Sequence, residues 1–396
     1  MFNIFPLKGS LEHVKGFYCD GVSVGLKPNG ANDVAFIRSD VLCDVEAVFT
    51  TNQFQAAPIV HFKRYPENFQ TNFLLINAKN ANAMTGRKGV EDIDTLFASL
   101  RATYPALQNP IMSSTGVIGY RLNQEKIAQS FSKFDFEAKN SDGAARAIMT
   151  TDSFKKELCL RVEPENGTPF HLGAICKGAG MINPAMATML CFIVTDAALP
   201  KADAKEALSY AVEHSFNAAS VDGDTSTNDT VLLLSNGQSG GYDKEAFKEA
   251  LALLTKHLAL EIVRDGEGAT KLVAFEITGA ATNEEAKKAA KALSNSLLVK
   301  TALFGEDPNW GRIASTIGAS GVTCNDETLE IKYDDVLVFN NTQRELDKER
   351  EMKAAAIMKQ PSYTIHCDLG IGSGTFTAYG CDLGHQYVTI NADYRS

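Results

Sequence analysis

The stretch KGAGMINPAMATML, residues 177–190, joins a glycine-rich turn to the start of an apolar run that predicts a buried strand. From residue 185 to residue 194 every side chain is apolar except that of Thr188. A hydroxyl group that is removed from water without a partner costs about 1–3 kcal/mol. One interpretation is structural, because β-branched Thr is common in strands. The other is chemical: the hydroxyl attacks the carbonyl group of Ala187, and the chain is cut between Ala187 and Thr188.

A cut at this position would place a nucleophile and a base in one residue. A free α-amino group has a pKa of about 7.7–8.0, so it is partly neutral near pH 7 and can accept the proton of its own hydroxyl. Such a cut would give two fragments, residues 1–187 and residues 188–396, although the residues alone favour the structural interpretation of Thr188.

Residues 177–190 resemble the nucleophile motif of the ornithine acetyltransferase (glutamate N-acetyltransferase) family. Similarity to further family blocks follows in the same order along the chain, in STGVIG at 114–119, DGDTSTND at 222–229, DPNWGR at 307–312 and NADYRS at 391–396. Several blocks in register are a much more specific signal than any one of them. The resemblance implies an enzyme of arginine biosynthesis that moves an acetyl group from N-acetylornithine to glutamate through an ester on Thr188.

The resemblance also implies which residues form the site. Thr115 and Gly116 would form an oxyanion hole, since a hydroxyl and a glycine amide in one turn can both point at one oxygen. The implied substrate contacts are Thr151, Lys177, Thr188, Glu267, Asn391 and Ser396. An ammonium at Lys177 can bind an α-carboxylate, and a carboxylate at Glu267 suits the ammonium groups of ornithine. We expect the last strand of the chain to carry Asn391 to this pocket.

Composition excludes several other classes of protein. The chain has 396 residues, 44% of them hydrophobic and 22% charged, as in ordinary globular proteins, and its net charge of −10 argues against nucleic-acid binding. No leader or apolar membrane span is visible, so we expect a cytoplasmic protein. The eight cysteines contain no CxxC pair and the seven histidines no HExxH motif. We therefore predict no metal and no cofactor, because the ester itself stores the acetyl group.

The polar run at 222–229 resembles the start of a calcium-binding loop. Its sixth position is Thr227 and its twelfth is Leu233, where such a loop needs Gly and Glu. We expect a polar loop near the site instead, with side chains that bind backbone amides.

Strand-like and helical patterns interleave without strict alternation, which predicts an α+β fold. The predicted strands are 21–26, 33–38, 45–50, 58–63, 73–76, 272–278, 363–369, 375–382 and 387–390. The predicted helices are 92–104, 124–134, 202–219, 244–259, 284–300 and 342–359. A break at 279–283 predicts a main core over 1–279, which contains the cleavage site, and a smaller C-terminal domain over 280–396.

The resemblance implies more about architecture than these patterns do. It implies a layered α/β/β/α core, similar to that of aminopeptidases that also cut themselves, and an assembly of two copies of each fragment. Two other functions stay open from the residues alone. One is an amidase or aminopeptidase that uses the same nucleophile with water as acceptor, and the other is a non-catalytic binding protein with an unbroken chain. Whether acetyl-CoA is also a donor, which would make the enzyme bifunctional, is left open as well.

Overall fold

The fold mixes helices and strands, as predicted, in a computed structural model that describes residues 1–183 and 189–393. The strands are β1 (Phe2–Leu7), β2 (Phe17–Val22), β3 (Val34–Phe49), β4 (Gln70–Asn77), β5 (Ile111–Ser114), β6 (Lys156–Pro164), β7 (Phe170–Lys177), β8 (Leu190–Thr195), β9 (Thr230–Ser235), β10 (Leu272–Ala280), β11 (Glu330–Tyr333), β12 (Val336–Phe339), β13 (Ser362–Asp368) and β14 (Gly374–Cys381). Within the described residues these strands form a nine-stranded and a five-stranded sheet.

Eleven helices lie between and after these strands in the described part of the chain. They are α1 (Ala57–Phe62), α2 (Gly86–Thr103), α3 (Gln124–Gln129), α4 (Ser141–Ala147), α5 (Lys201–Glu213), α6 (Lys244–Arg264), α7 (Asn283–Asn295), α8 (Leu297–Phe304), α9 (Trp310–Ala319), α10 (Lys348–Met358) and α11 (His385–Asp393). None of the described helices has the length and apolar content that a membrane crossing requires.

The large sheet folds over on itself at the long strand β3. Residues 34–38 of β3 pair with β4, residues 44–49 pair with β9, and the register shifts between Arg38 and Cys43. An irregularity of this kind bends a strand. One strand therefore belongs to both layers of a folded sheet.

Alternate side chains of the folded sheet enter different apolar cores. In β8, Cys191 and Ile193 pack in one core with α5 and α6, whereas Phe192 and Val194 pack in another with residues of β3 and β4. The outer face of β3 and β4 carries Phe36 in a third core, with the apolar face of α2. The order of the layers is helix, sheet, sheet, helix, which confirms the α/β/β/α arrangement.

The core of the five-stranded sheet includes a strand, β10, that precedes the predicted domain boundary. β10 pairs with β13 and with β14, and its Val273, Phe275 and Ile277 pack against α7 in the core of the five-stranded sheet. β10 therefore belongs to the five-stranded sheet, although it precedes the predicted boundary after residue 279. The glycine turn does end the strand, but it carries no information about the sheet that the strand joins.

Two predicted strands are helical. Residues 58–63 fall largely in α1, where Pro58 occupies the first turn, a position that suits its fixed φ. Residues 387–390 lie in α11. Both runs are too short for hydrophobic period to separate strand from helix. Thr282 caps α7 by accepting a hydrogen bond from the amide of Glu285 at 3.2 Å.

The block at 307–312 has a structural role in the smaller domain. Asn309 caps α9 by accepting from the amide of Arg312 at 3.2 Å. The ring of Trp310 stacks on Phe339 of β12 at 4.4 Å, and Arg312 donates to the carbonyl of Leu298 at 2.8 Å. These contacts join α8, α9 and β12.

Candidate functional site

The predicted site residues that the structure describes line a cavity at the ends of β5 and β7. Its lining includes Thr115, Gly116, Thr151, Lys177, Glu267 and Asn391, together with Ala81, Ile118, Thr150, Gly180, Met181, Ser226, Thr227 and Asn228. These residues come from widely separated parts of the sequence. The predicted nucleophile Thr188, its cleavage partner Ala187 and the predicted contact Ser396 lie outside the described residues.

The turn after β5 presents two hydrogen-bond donors to the cavity. The amide of Thr115 is used, because it donates to the carbonyl of Asn77 at 3.0 Å. Within residues 1–183 and 189–393, neither the Thr115 hydroxyl nor the Gly116 amide has a hydrogen-bond partner. Gly116 has a φ of +132°, and a Cβ there would lie 2.2 Å from the carbonyl carbon of Lys79. Only glycine fits this position, and both free donors can serve an oxyanion.

Lys177, the last residue of β7, brings a buried ammonium group to the cavity. Its side chain is 3% exposed, and its Nζ lies 4.0 Å from Oδ2 of Asp152, beyond hydrogen-bond length. No residue in the described part of the chain accepts a hydrogen bond from this ammonium. A buried cation with unused donors is suited to binding a carboxylate.

Asp152 connects Lys177 to a second buried lysine. Its Oδ1 accepts from the amide of Gly178 at 2.7 Å and from Nζ of Lys156 at 2.8 Å. Lys156 also donates to Asp265 at 2.6 Å. Burial opposes ionisation of Asp152, but the ammonium groups of Lys177 and Lys156 outweigh it and hold the pKa of this carboxyl well below its usual range. The sequence does not reveal this network, since isolated charges have no periodic signal.

Glu267 sits directly on the glycine turn that follows β7. Its amide donates to the carbonyl of Ala179 at 2.9 Å, and a Cβ on Gly180 would lie 2.5 Å from its carboxyl carbon. Asn391 donates to Oε2 of Glu267 at 2.7 Å. Asn391 reaches the cavity from α11, which corrects the prediction that a final strand carries it.

The polar loop at 222–229 fixes the backbone on both sides of residues 184–188. Asp222 accepts from the amide of Met181, at 2.6 Å. Asp229 accepts from the amide of Met189, at 3.1 Å. The predicted role of this loop, side chains that bind backbone amides near the site, is confirmed.

Asn228, in the same loop, ties two walls of the cavity together. Its Nδ2 donates to the carbonyl of Ala81 at 2.6 Å and to that of Ser114 at 2.8 Å. Both acceptors neighbour the turn that carries the two free donors. The position of that turn therefore depends on a residue from the far side of the cavity.

Comparison with known proteins identifies the family of this chain. The model of the ArgJ family matches residues 18–396. The chain belongs to the ArgJ family. A relative from Wolinella succinogenes, named arginine biosynthesis bifunctional protein ArgJ, is 58% identical over the full length of both chains.

Two solved structures of similar proteins cover about half of the chain. The crystal structure of arginine biosynthesis bifunctional protein argJ from Bacillus halodurans is 42% identical, covers 51% of this chain and 98% of its own, and has a TM-score of 0.48. The ornithine acetyltransferase of Mycobacterium tuberculosis, solved with ornithine, is 26% identical, covers 47% of this chain and 100% of its own, and has a TM-score of 0.42.

Proposed function

We propose that this ArgJ-family enzyme of arginine biosynthesis transfers an acetyl group from N-acetylornithine to glutamate through an ester on Thr188. The observation that carries the proposal is the set of polar groups that line one cavity and are complementary to such a substrate. Lys177 supplies a buried ammonium for an α-carboxylate, Glu267 a carboxylate for an ammonium, and Thr115 with Gly116 two donors for an oxyanion. An acylated diamino acid offers the complementary groups.

The proposed reaction has two half-reactions. The hydroxyl of Thr188 attacks the acetyl carbonyl, its proton passes to the α-amine of Thr188, and the Thr115–Gly116 donors stabilise the oxyanion. The carbon–nitrogen bond then breaks, the proton leaves with ornithine, and the acetyl ester remains. Glutamate enters, its amine attacks the ester, and the Thr188 hydroxyl is restored. A covalent intermediate of this kind gives ping-pong kinetics.

The free amine of Thr188 requires the cut after Ala187. We propose that the precursor cuts itself there, and that two copies of each fragment assemble in the cytoplasm. Thr151 and Ser396 complete the proposed substrate contacts. We include acetyl-CoA as a second donor because the relatives are named bifunctional.

Intact mass spectrometry and a labelled acetyl group test the function together. We expect fragments of residues 1–187 and 188–396, label on Thr188 after incubation with acetylornithine, and transfer of that label to added glutamate. The Thr188→Ala variant should remain one chain without transfer. A fully active continuous chain, or label on another residue, would contradict the proposal.

The same assay separates the two alternatives. An amidase or aminopeptidase would release free acetate at the same rate with or without glutamate. A binding protein would stay uncut and would transfer nothing.

A further inference from the structure

Asn228 is a buried residue that is held firmly within its own loop. Its amide donates to the hydroxyl of Ser226 at 3.0 Å, and its carbonyl accepts from the hydroxyl of Thr230 at 2.8 Å. The oxygen of its side chain accepts from the hydroxyl of Thr227 at 2.6 Å. These contacts fix the backbone and the orientation of the side-chain amide, so its NH2 group points in one direction.

The NH2 group of Asn228 binds two carbonyl groups at once. Nδ2 lies 2.6 Å from the carbonyl oxygen of Ala81 and 2.8 Å from that of Ser114. The group has two N–H donors, so each carbonyl receives one. Ala81 and Ser114 are buried as well, and a buried carbonyl that loses its donor costs free energy. Two close carbonyls with one donor group between them require an amide at this position.

The two carbonyls belong to the segments that carry the turn of the oxyanion donors. Ser114 directly precedes Thr115 and Gly116. The amide of Ala81 donates to the carbonyl of Val117 at 3.0 Å, just after the turn. Asn228 therefore joins the chain before the turn to the segment that binds the chain after it. A shift of either segment would move both donors.

This contact also crosses the position of the proposed cut. Asn228 follows residue 188, whereas Ala81, Ser114 and the turn precede it. The backbone bonds of the turn, from Thr115 to Asn77 and from Val117 to Lys79, stay within residues 1–187. Asn228 thus adds a restraint from the later part of the chain to a turn that the earlier part provides.

We propose that Asn228 is a positioning residue for the oxyanion donors: its side-chain amide holds the Thr115–Gly116 turn at the distance that the developing oxyanion requires. This assignment rests on the proposed function. The oxyanion forms only in the transition state, whereas Lys177 and Glu267 bind the charged groups of the substrate in the ground state as well. Loss of Asn228 should therefore lower turnover and leave substrate binding unchanged.

The Asn228→Ala variant tests this division. We expect kcat for acetyl transfer to fall about 10- to 100-fold, as displacement of oxyanion donors implies. The KM values for acetylornithine and glutamate should stay within about twofold of the wild type, since only a transition-state contact is lost. Rates are expressed per mole of cut protein, counted by intact mass spectrometry. Thermal unfolding checks that each variant is folded.

Asn236→Ala is the matched control. Asn236 follows β9, whereas Asn228 precedes it, and its Nδ2 also donates to a carbonyl of the earlier part of the chain, that of Lys15 at 2.8 Å. This contact lies at the other end of the strand, away from the turn. The variant should transfer acetyl groups at the wild-type rate.

A double-variant cycle gives a readout that a merely structural role would not produce. Thr115→Ala removes one of the two donors that Asn228 is proposed to position. If Asn228 acts through this donor, the loss of kcat in the double variant should be smaller than the product of the two single losses. Losses that multiply would overturn the assignment.

Hydrogen exchange followed by mass spectrometry tests the contact without reference to catalysis. In Asn228→Ala, the amides of Thr115 and Val117 should exchange faster than in the wild type, and those of β6 should not change. Unchanged exchange of the turn would overturn the proposal. A kcat equal to that of the wild type, or a folded variant that stays uncut, would overturn the assignment alone. A wild-type chain that transfers no acetyl group would overturn the proposed function, and exchange would then still decide whether Asn228 holds the turn.

Discussion

Two buried lysines at the site differ in how their charge is used. Lys156 is fully buried and donates to two carboxylates, Asp152 at 2.8 Å and Asp265 at 2.6 Å. Lys177 is nearly as buried, but among the described residues its shortest distance to an acid is the 4.0 Å that separates it from Asp152. Removing one partner of a buried ion pair costs about 3–5 kcal/mol. We therefore expect Lys156 to matter for stability and Lys177 for binding.

Replacement of Lys177 by Met should weaken substrate binding without unfolding the protein. A hydrogen bond to a charged group is worth about 1.5–3 kcal/mol, so KM for acetylornithine and glutamate should rise by about 10- to 150-fold. Steady-state kinetics measures this change, and urea unfolding measures stability. Lys156→Met is the control, and it should lose about 3–5 kcal/mol of unfolding free energy. Unchanged KM values in Lys177→Met would contradict the proposed carboxylate contact.

Gly116→Ala should be destabilised by contact as well as by backbone strain. A Cβ at this position meets the backbone of Lys79 at 2.2 Å, and its φ of +132° is in a region nearly restricted to glycine. Gly119→Ala, in the same loop, is a matched control, because its φ is +93° but no atom lies within 4 Å of the added Cβ. We expect about 1–3 kcal/mol more destabilisation in Gly116→Ala, measured by urea unfolding. An equal loss of unfolding free energy in both variants would show that the backbone moves away from the added Cβ without further destabilisation.

At the scale of elements, α11 is attached to the molecule through polar contacts rather than through a core. It has no buried residue within His385–Asp393. Tyr387 donates to Asp222 at 3.2 Å, and Asn391 donates to Glu267 at 2.7 Å. Both acceptors lie close to the cavity. The helix therefore has a local role at the site and a small role in stability.

A chain that ends after Gly384 should remain folded and lose activity. No apolar core is disturbed, so the unfolding free energy should fall by less than about 2 kcal/mol, as expected for the loss of a few exposed or partly buried hydrogen bonds. Transfer activity should fall at least about tenfold, because Asn391 no longer orients Glu267. Val388→Ser, at a position 67% exposed, is the control and should change neither quantity. Full activity in the shortened chain would remove Asn391 from the site.

Long elements with clear signals were predictable, and short ones were not. The helix α6 was expected from its periodicity, and Asp243 caps it by accepting from the amide of Ala246 at 2.8 Å. By contrast, α1 has only six residues, too few for an apolar period to show. Burial of one side of a short segment is decided by its neighbours in the fold.

At the scale of the whole molecule, the two proposed fragments share one sheet. The contacts between β7 and β8 and between β3 and β9 each join a strand before residue 188 to a strand after it. The cores on both faces of β8 also contain side chains from both sides of that position. A cut would therefore leave the two parts held by the sheet and by two apolar cores.

After self-cleavage, the fragments should stay together until the protein is denatured. Size-exclusion chromatography in native buffer should give one peak that contains both fragments, and a denaturing gel of that peak should give two bands. The uncut Thr188→Ala variant, as control, should elute at the same volume and give one band. Separate elution of the fragments in native buffer would contradict the shared sheet.

The six described site residues that the sequence indicated came from a resemblance in short blocks, and they line one cavity. Asp152, Lys156 and Asp229 were not identified, because their importance depends on burial and on partners far away in sequence. Asp152 and Asp265, for example, both accept hydrogen bonds from Lys156, although they are far apart in sequence. A single carboxylate in a sequence does not reveal whether it will be buried or solvated.

The sequence by itself determined the class of fold, most long elements and the family, because these depend on local apolar period and on motifs of contiguous residues. The tertiary structure decided which sheet β10 joins and which acidic side chains are buried. It also decided that a helix, α11, and not a strand brings Asn391 to Glu267. These outcomes depend on contacts between residues more than 80 positions apart, such as that of Asn391 with Glu267. Hydrophobic pattern specifies which face of an element is buried, but only packing specifies what it is buried against.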